Sequence, residues 1–202
     1  MKVTVVATGV CNLASVRAGL LRAGAEVEVT ADPDRVRAAD AAFLPGVGAY
    51  GAGMAALTAS GCGDAVAGRV RAGQPTLAIC LGLQLLARSS EETPGVAGLG
   101  VLDADVTRFR GAVRVPHFGW NQVAPTDDAR LLRPGYAYFA NSYKIDALPP
   151  GWAGATTPHG APFVAAIERG PVLACQFHPE LSGDWGNALL QAWLQAAREA
   201  AC

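Results

Sequence analysis

Two rhythms of apolar and polar positions alternate through the first 90 residues. Val3 to Ala7 is a short β-branched run closed by Gly9, the mark of a buried strand. Leu13, Val16 and Leu20 recur at helical spacing, and the helix from Leu13 to Leu21 stops before Gly24. Val27 and Val29 mark a second strand, and Ala41 to Leu44 a third that closes on Pro45-Gly46. Residues 54 to 70 read as one helix, Thr76 to Ile79 as a fourth strand, and residues 82 to about 88 as the helix that leaves it. Strands alternating with helices predict an α/β fold: an open, mostly parallel twisted sheet flanked by helices on both faces.

The rhythm shortens between Val101 and Phe177. Val113 to Val115, Tyr136 to Phe139, Phe163 to Ile167 and Val172 to Phe177 read as strands, with a hairpin turn at Glu168-Arg169-Gly170-Pro171. Helical spacing returns from Trp185 to Ala200. The expectation is one domain over residues 1–202, an α/β unit carrying an antiparallel β extension.

Composition narrows the function classes. Apolar residues make up 51% of the 202 and charged residues 16%, so a packed core is expected and disorder is not. A net charge of −1 gives no electrostatic footprint for nucleic acid or an anionic membrane. No apolar run approaches the ~20 residues of a membrane helix, and the start lacks a signal-peptide pattern. The five cysteines (Cys11, Cys62, Cys80, Cys175, Cys202) are scattered and odd in number, which fits free thiols in a reducing cytoplasm. The three histidines form no ligand-spaced cluster with them, so no metal is expected.

One stretch carries chemistry. In residues 75–86 a buried strand runs straight into Cys80, then Gly82, then a helix. That is the pattern of a nucleophile elbow, where a tight turn lifts the side chain out of the sheet at a helix N-terminus. The helix end favours the thiolate, and the Leu81 N–H faces the place where an oxyanion would form. The other cysteines lack this context. A thiol nucleophile requires a base, and His178 follows a strongly apolar strand in Cys175-Gln176-Phe177-His178-Pro179-Glu180. Glu180, two residues on, is placed to orient the imidazole.

Cys80-Leu81-Gly82-Leu83-Gln84 together with Gln176-Phe177-His178-Pro179-Glu180 resembles the class I (triad) glutamine amidotransferases. Pro45-Gly46-Val47-Gly48-Ala49-Tyr50-Gly51, Pro116-His117-Phe118-Gly119-Trp120-Asn121 and the stretch from Gly9 to Val16 extend that resemblance to the glutaminase subunits of imidazole glycerol phosphate synthases. The resemblance implies a flavodoxin-like fold and a triad of Cys80, His178 and Glu180 that hydrolyses glutamine through a thioester, without a cofactor. It implies an oxyanion hole from the N–H groups of Val47 and Leu81, the first after the Gly46-Val47 peptide reorients. Gly48, Gln84, Glu92, Ser142 and Tyr143 would contact the substrate, with Glu92 on its α-ammonium group. Asn12, Trp120 and Asn121 would face the partner, a (β/α)8-barrel cyclase that receives the ammonia.

The chain departs from the pattern at Cys11, where glycine is usual, at Ala78, also usually glycine, at Asn141, usually histidine, and at Leu181, usually lysine. Asn141 and Leu181 keep open a paralogous glutaminase that feeds a related cyclase. A stand-alone cysteine amidase or peptidase on the same scaffold is a further alternative.

Overall fold

The computed structural model describes residues 1–9 and 13–200. Cys11, Asn12 and Cys202 lie outside the described residues, so the partner-facing role expected of Asn12 has no structural counterpart here.

The first half alternates as its sequence rhythm predicts. Its elements are β1 (Lys2–Val6), α1 (Leu13–Arg22), β2 (Glu26–Thr30), α2 (Pro33–Arg37), β3 (Ala41–Leu44), α3 (Tyr50–Ser60), α4 (Cys62–Arg71), β4 (Thr76–Ile79) and α5 (Leu81–Leu85). The second half contributes β5 (Ser89–Ser90), β6 (Asp105–Arg108), β7 (His117–Pro125), β8 (Gly135–Asn141), β9 (Tyr143–Ile145), β10 (Ala153–His159), β11 (Ala161–Arg169) and β12 (Val172–Cys175). A 3₁₀ turn at Pro179–Leu181 and the long helix α6 (Gly183–Ala200) close the chain.

The main sheet has the order β2-β1-β3-β4-β12-β11-β10-β7-β8. Neighbours are parallel from β2 through β12 and antiparallel from β12 to β8, so the expected parallel sheet and its antiparallel extension are one continuous surface. A small sheet, β5-β6-β9, stands beside it. Strand alternation sends side chains to two cores. Val3, Val5, Leu77, Ile79, Leu173 and Cys175 pack towards α1 and α6, and Val6, Ala78, Val172 and Ala174 towards the helices of the opposite face. Such buried strands carry few polar positions, Thr4 and Thr76 among them, which is why they read as nearly continuous apolar runs.

The structure departs from the sequence reading in three local places. The helix expected over 54–70 is two helices, because Gly61 adopts φ +71° and ends α3 in the left-handed conformation that glycine tolerates best. A short helix, α2, was not anticipated. Its signal is present in Asp32, which caps it by accepting from the Asp34 N–H, and in Pro33 at its first position. Residues 113–115 are not a strand. Gly111 turns the chain at φ +86°, and the Arg114 carbonyl bonds the His159 ring nitrogen in place of a ladder partner, so pairing begins at His117.

Among the described residues no helix is long and apolar enough to cross a membrane. Cys62, Cys80 and Cys175 are free and buried.

Candidate active site

β4 and β12 lie side by side, and their register sets the site. Ile79 pairs with Cys175, and the Cys80 N–H donates to the Cys175 carbonyl at 2.7 Å. The chain then turns abruptly. Cys80 sits at φ +53°, ψ −109°, and no other non-glycine among the described residues has a positive φ. Strain of this kind costs about 1–3 kcal/mol and persists only where the surroundings enforce it. Here the strand ladder holds one side and α5 the other. A Cβ at Gly82 would overlap the Leu44 carbonyl, so the elbow closes only with glycine at that position.

The neighbouring strand delivers the base. Beyond β12 the chain passes Gln176 and Phe177 to His178, whose N–H donates to the Tyr138 carbonyl at 2.9 Å. The Ser182 hydroxyl donates to the His178 carbonyl at 2.6 Å and accepts from the Tyr138 N–H at 3.0 Å, clamping the loop to β8. His178 Nδ1 lies 2.8 Å from Glu180 Oε1, and the ring also interacts with the Cys80 side chain. Burial alone would lower the His178 pKa. The hydrogen bonds and charges of Cys80 and Glu180 outweigh it and raise the pKa to about 10. The imidazole is therefore held in its charged form between Cys80 and Glu180. Glu180 Oε2 is buried without a hydrogen-bond partner among the described residues, while Oε1 faces the imidazole.

Gly19, a residue that sequence reasoning passed over, leaves room for this carboxylate. A Cβ there would stand 2.7 Å from Glu180 Cβ. Glycine inside a helix is itself the missed signal, since it costs about 1 kcal/mol relative to alanine and calls for a packing reason. Gly19→Ala is expected to gain that propensity but lose about 1–3 kcal/mol to overlap. Turnover should fall about tenfold as Glu180 is pushed off the ring. Steady-state kinetics and denaturant unfolding check both effects, and unchanged turnover would show that the carboxylate tolerates displacement.

Two cavities meet at His178 and Val47. One, of about 280 Å³, is lined by Val47, Gly48, Cys80, Leu81, Gln84, Glu92, Asn141, Ser142 and Tyr143 as well as His178. All five residues expected to touch the substrate line it, together with Cys80 and both oxyanion residues. Glu92 Oε2 also accepts the Tyr50 N–H at 2.7 Å, standing in for the side-chain cap that Ala49 cannot supply to α3. Gly48 has φ +96°, a bend that a side chain would oppose. The other cavity, about 270 Å³ and mainly apolar, runs past Pro45, Gly46, Phe118, Tyr138 and Leu181 on the far side of the imidazole.

The two N–H groups expected to form the oxyanion hole are not both available. The Gly46 carbonyl accepts from the Leu81 N–H at 3.3 Å, which occupies that donor. A Cβ at Gly46 would approach Leu81 Cβ to 2.8 Å, so this close approach depends on glycine.

The expected partner-facing residues divide. β7 is pleated, so Phe118 and Trp120 share one side and His117 and Asn121 the other. Phe118 and Trp120 are 63% and 57% exposed, with Tyr138 edge-on to both rings. Leu181 and Val47 add exposed apolar surface. Asn121 is half-buried and directs its amide to the Pro158 carbonyl at 2.6 Å and His117 Nε2 at 3.1 Å. His117, stacked on His159 at 4.2 Å, has its pKa lowered to about 4 by burial and by that neighbour. No group of metal-ligating side chains occurs among the described residues.

The family model described as glutamine amidotransferase class-I matches residues 9–196. "Imidazole glycerol phosphate synthase subunit HisH" of Symbiobacterium thermophilum is 41% identical over 196 residues, covering 95% of this chain and 92% of its own. The protein of the same name from Escherichia coli O157:H7 is 40% identical over 200 residues, covering 96% and 100%. Its namesake from Methanothermobacter thermautotrophicus is 39% identical over 199, covering 97% and 99%. A solved structure titled "Crystal structure of glutamine amidotransferase" superposes with a TM-score of 0.78 at 24% identity, covering 97% of this chain and 98% of its own, a likeness of fold.

Proposed function

This chain belongs to the class I glutamine amidotransferases, and we propose that it is the glutaminase subunit of an imidazole glycerol phosphate synthase, working in histidine biosynthesis with a cyclase partner. The observation that carries the chemistry is that Cys80 and His178 line one polar cavity of about 280 Å³ while Glu180 holds the imidazole at 2.8 Å.

The reaction follows from that geometry. The Cys80 thiolate attacks the side-chain carbonyl carbon of glutamine, and the oxygen takes the negative charge. The N–H groups of Leu81 and Val47 stabilise that charge once the Gly46-Val47 peptide has turned. His178, held as an imidazolium, gives its proton to the departing nitrogen, and ammonia leaves a glutamyl thioester on Cys80. Water then attacks the thioester, His178 takes its proton, and glutamate is released. Glu180 keeps the ring in one tautomer and balances its charge through both steps. Glu92 offers a carboxylate to the substrate's α-ammonium group, and Ser142 and Tyr143 hold the opposite end of the amino acid.

The apolar cavity supports a route for the ammonia. It adjoins His178 where the proton is delivered, and away from His178 and Glu180 its lining is mainly apolar, which favours neutral ammonia over ammonium. Its exposed apolar lining of Val47, Phe118 and Leu181, with Trp120 exposed on the same side of β7 as Phe118, is the surface on which a (β/α)8-barrel cyclase would dock. Trp120 supplies an aromatic anchor, a residue type enriched at interface centres. Leu181, in place of the usual lysine, makes this surface apolar where relatives carry a charge, so docking here is expected to depend less on salt. The whole chain forms one amidotransferase unit in this reading, acting in the cytoplasm.

The test is reconstitution. The chain should restore growth to a histidine auxotroph lacking its glutaminase subunit, and co-purify with the cyclase. Failure of both, with cleavage of peptides by the chain alone, would favour the stand-alone hydrolase. Failure of growth with intact glutaminase activity would favour a paralogue serving another cyclase.

A further inference from the structure

Gln176 has no role in the mechanism above, yet it is completely buried immediately past the end of β12. Its backbone N–H donates to the Ala165 carbonyl at 2.8 Å, fixing the main chain just beyond β12. Its side chain turns to the nucleophile: Nε2 lies 3.7 Å from Cys80 Sγ, within hydrogen-bonding range for sulfur. Its Oε1 accepts from Gln84 Nε2 at 2.9 Å, and the same Gln84 nitrogen donates to the Tyr143 carbonyl at 3.1 Å.

The direction of this relay is set by its far end. The Tyr143 carbonyl can only accept, so the Gln84 nitrogen must face it. That nitrogen also faces Gln176, and two NH₂ groups cannot bond each other, so Gln176 turns its oxygen to Gln84. Its own NH₂ is left pointing at the sulfur. A backbone carbonyl on β9 thereby dictates that Cys80 receives a hydrogen-bond donor. A donor favours the thiolate over the thiol, and such a bond to a charged acceptor is roughly twice as strong as a neutral one.

We propose that Gln176 is a positioning residue that aims the Cys80 sulfur and stabilises its thiolate, with its amide locked in the donating orientation by Gln84. The proposal rests on the reading of Cys80 as the nucleophile. It adds a second neighbour to the sulfur besides His178, one that neither takes up nor gives up a proton. Gln84 lines the substrate cavity while holding Gln176, so the residue expected to touch glutamine also orients the group that touches sulfur.

The experiment measures alkylation of Cys80 by iodoacetamide across pH, read on the Cys80 peptide by mass spectrometry, in the full chain and in Gln176→Met and Gln176→Glu. Methionine keeps the length and loses the donor. Its Cys80 rate profile should move to higher pH by about one unit, a roughly tenfold loss of rate at neutral pH, with a similar loss of glutaminase turnover. Glutamate places a carboxylate by the sulfur and should shift the profile further. An unshifted profile in the folded variants, whatever their stability, overturns the proposal and reduces Gln176 to packing. Where Gln176→Met does not fold, Gln176→Glu alone carries the same test. A Cys80→Ala chain assayed in parallel separates the two levels: if it still turns over glutamine, the nucleophile itself has been misassigned.

Discussion

Replacing Cys80 with alanine is expected to remove glutamine hydrolysis, by about 10⁴-fold or more, while the complex with the cyclase still uses supplied ammonia. The size of the loss follows from the site. His178 is charged because of its neighbours, and without the sulfur one of the two groups that raise its pKa is gone. An imidazole relieved of that partner has no thioester to form and no leaving nitrogen to protonate. The fold should tolerate the change, because Cys80 makes its strand contact through the backbone N–H. Alanine keeps that N–H, although it inherits the positive φ. Glutamate release and ammonia-dependent product formation, measured on the same complex, test both halves. Substantial glutaminase turnover in the variant would refute a thioester at this position, and loss of the ammonia-dependent reaction would show that the substitution damages the assembly.

Mixing the chain with its cyclase and the cyclase's nucleotide ligand is expected to raise glutaminase turnover by about 10²–10³-fold over the isolated chain. The reason is a single hydrogen bond. The Leu81 N–H, which the developing oxyanion requires, is held by the Gly46 carbonyl at 3.3 Å. Loss of one oxyanion donor costs about 10²–10³ in rate. The bond that withholds it is long and between neutral groups, contributing only about 1 kcal/mol. A partner pressing on the exposed Val47 beside it can therefore supply enough energy to turn the Gly46-Val47 peptide. Such a turn would release the Leu81 donor and swing the Val47 N–H inward together. Isolated chain that is already fully active would mean that this bond does not restrain the enzyme.

The parallel strands and the nucleophile were readable because their information is local. A strand buried on both faces excludes charges and favours apolar or β-branched residues, so Val3 to Val6, Ala41 to Leu44 and Thr76 to Ile79 stood out as runs. A cysteine between such a run and a glycine-containing helix start has few conformations open to it, and the structure places Cys80 in the expected turn. His178 and Glu180 are two residues apart, so their pairing required only a short loop, which Pro179 stiffens. Boundaries were harder. Gly61 splitting one helix in two and the missing strand at 113–115 each depend on a backbone angle or a distant acceptor that periodicity does not encode.

The residues of this chain by themselves determined which groups are the candidates for the reaction, since only one cysteine stands at an elbow and only one histidine is followed by an orienting carboxylate. Folding decided how those groups are tuned. Gly19 making room for Glu180, Gln176 turned towards the sulfur and the Gly46 carbonyl resting on the Leu81 N–H join segments far apart in the chain. So does the bond from Asn121 on β7 to the Pro158 carbonyl on β10, while Trp120 beside it stays exposed. Hydrogen bonds and steric overlap act over a few ångströms of space, and a chain specifies those distances only when its strands have paired and its helices have packed.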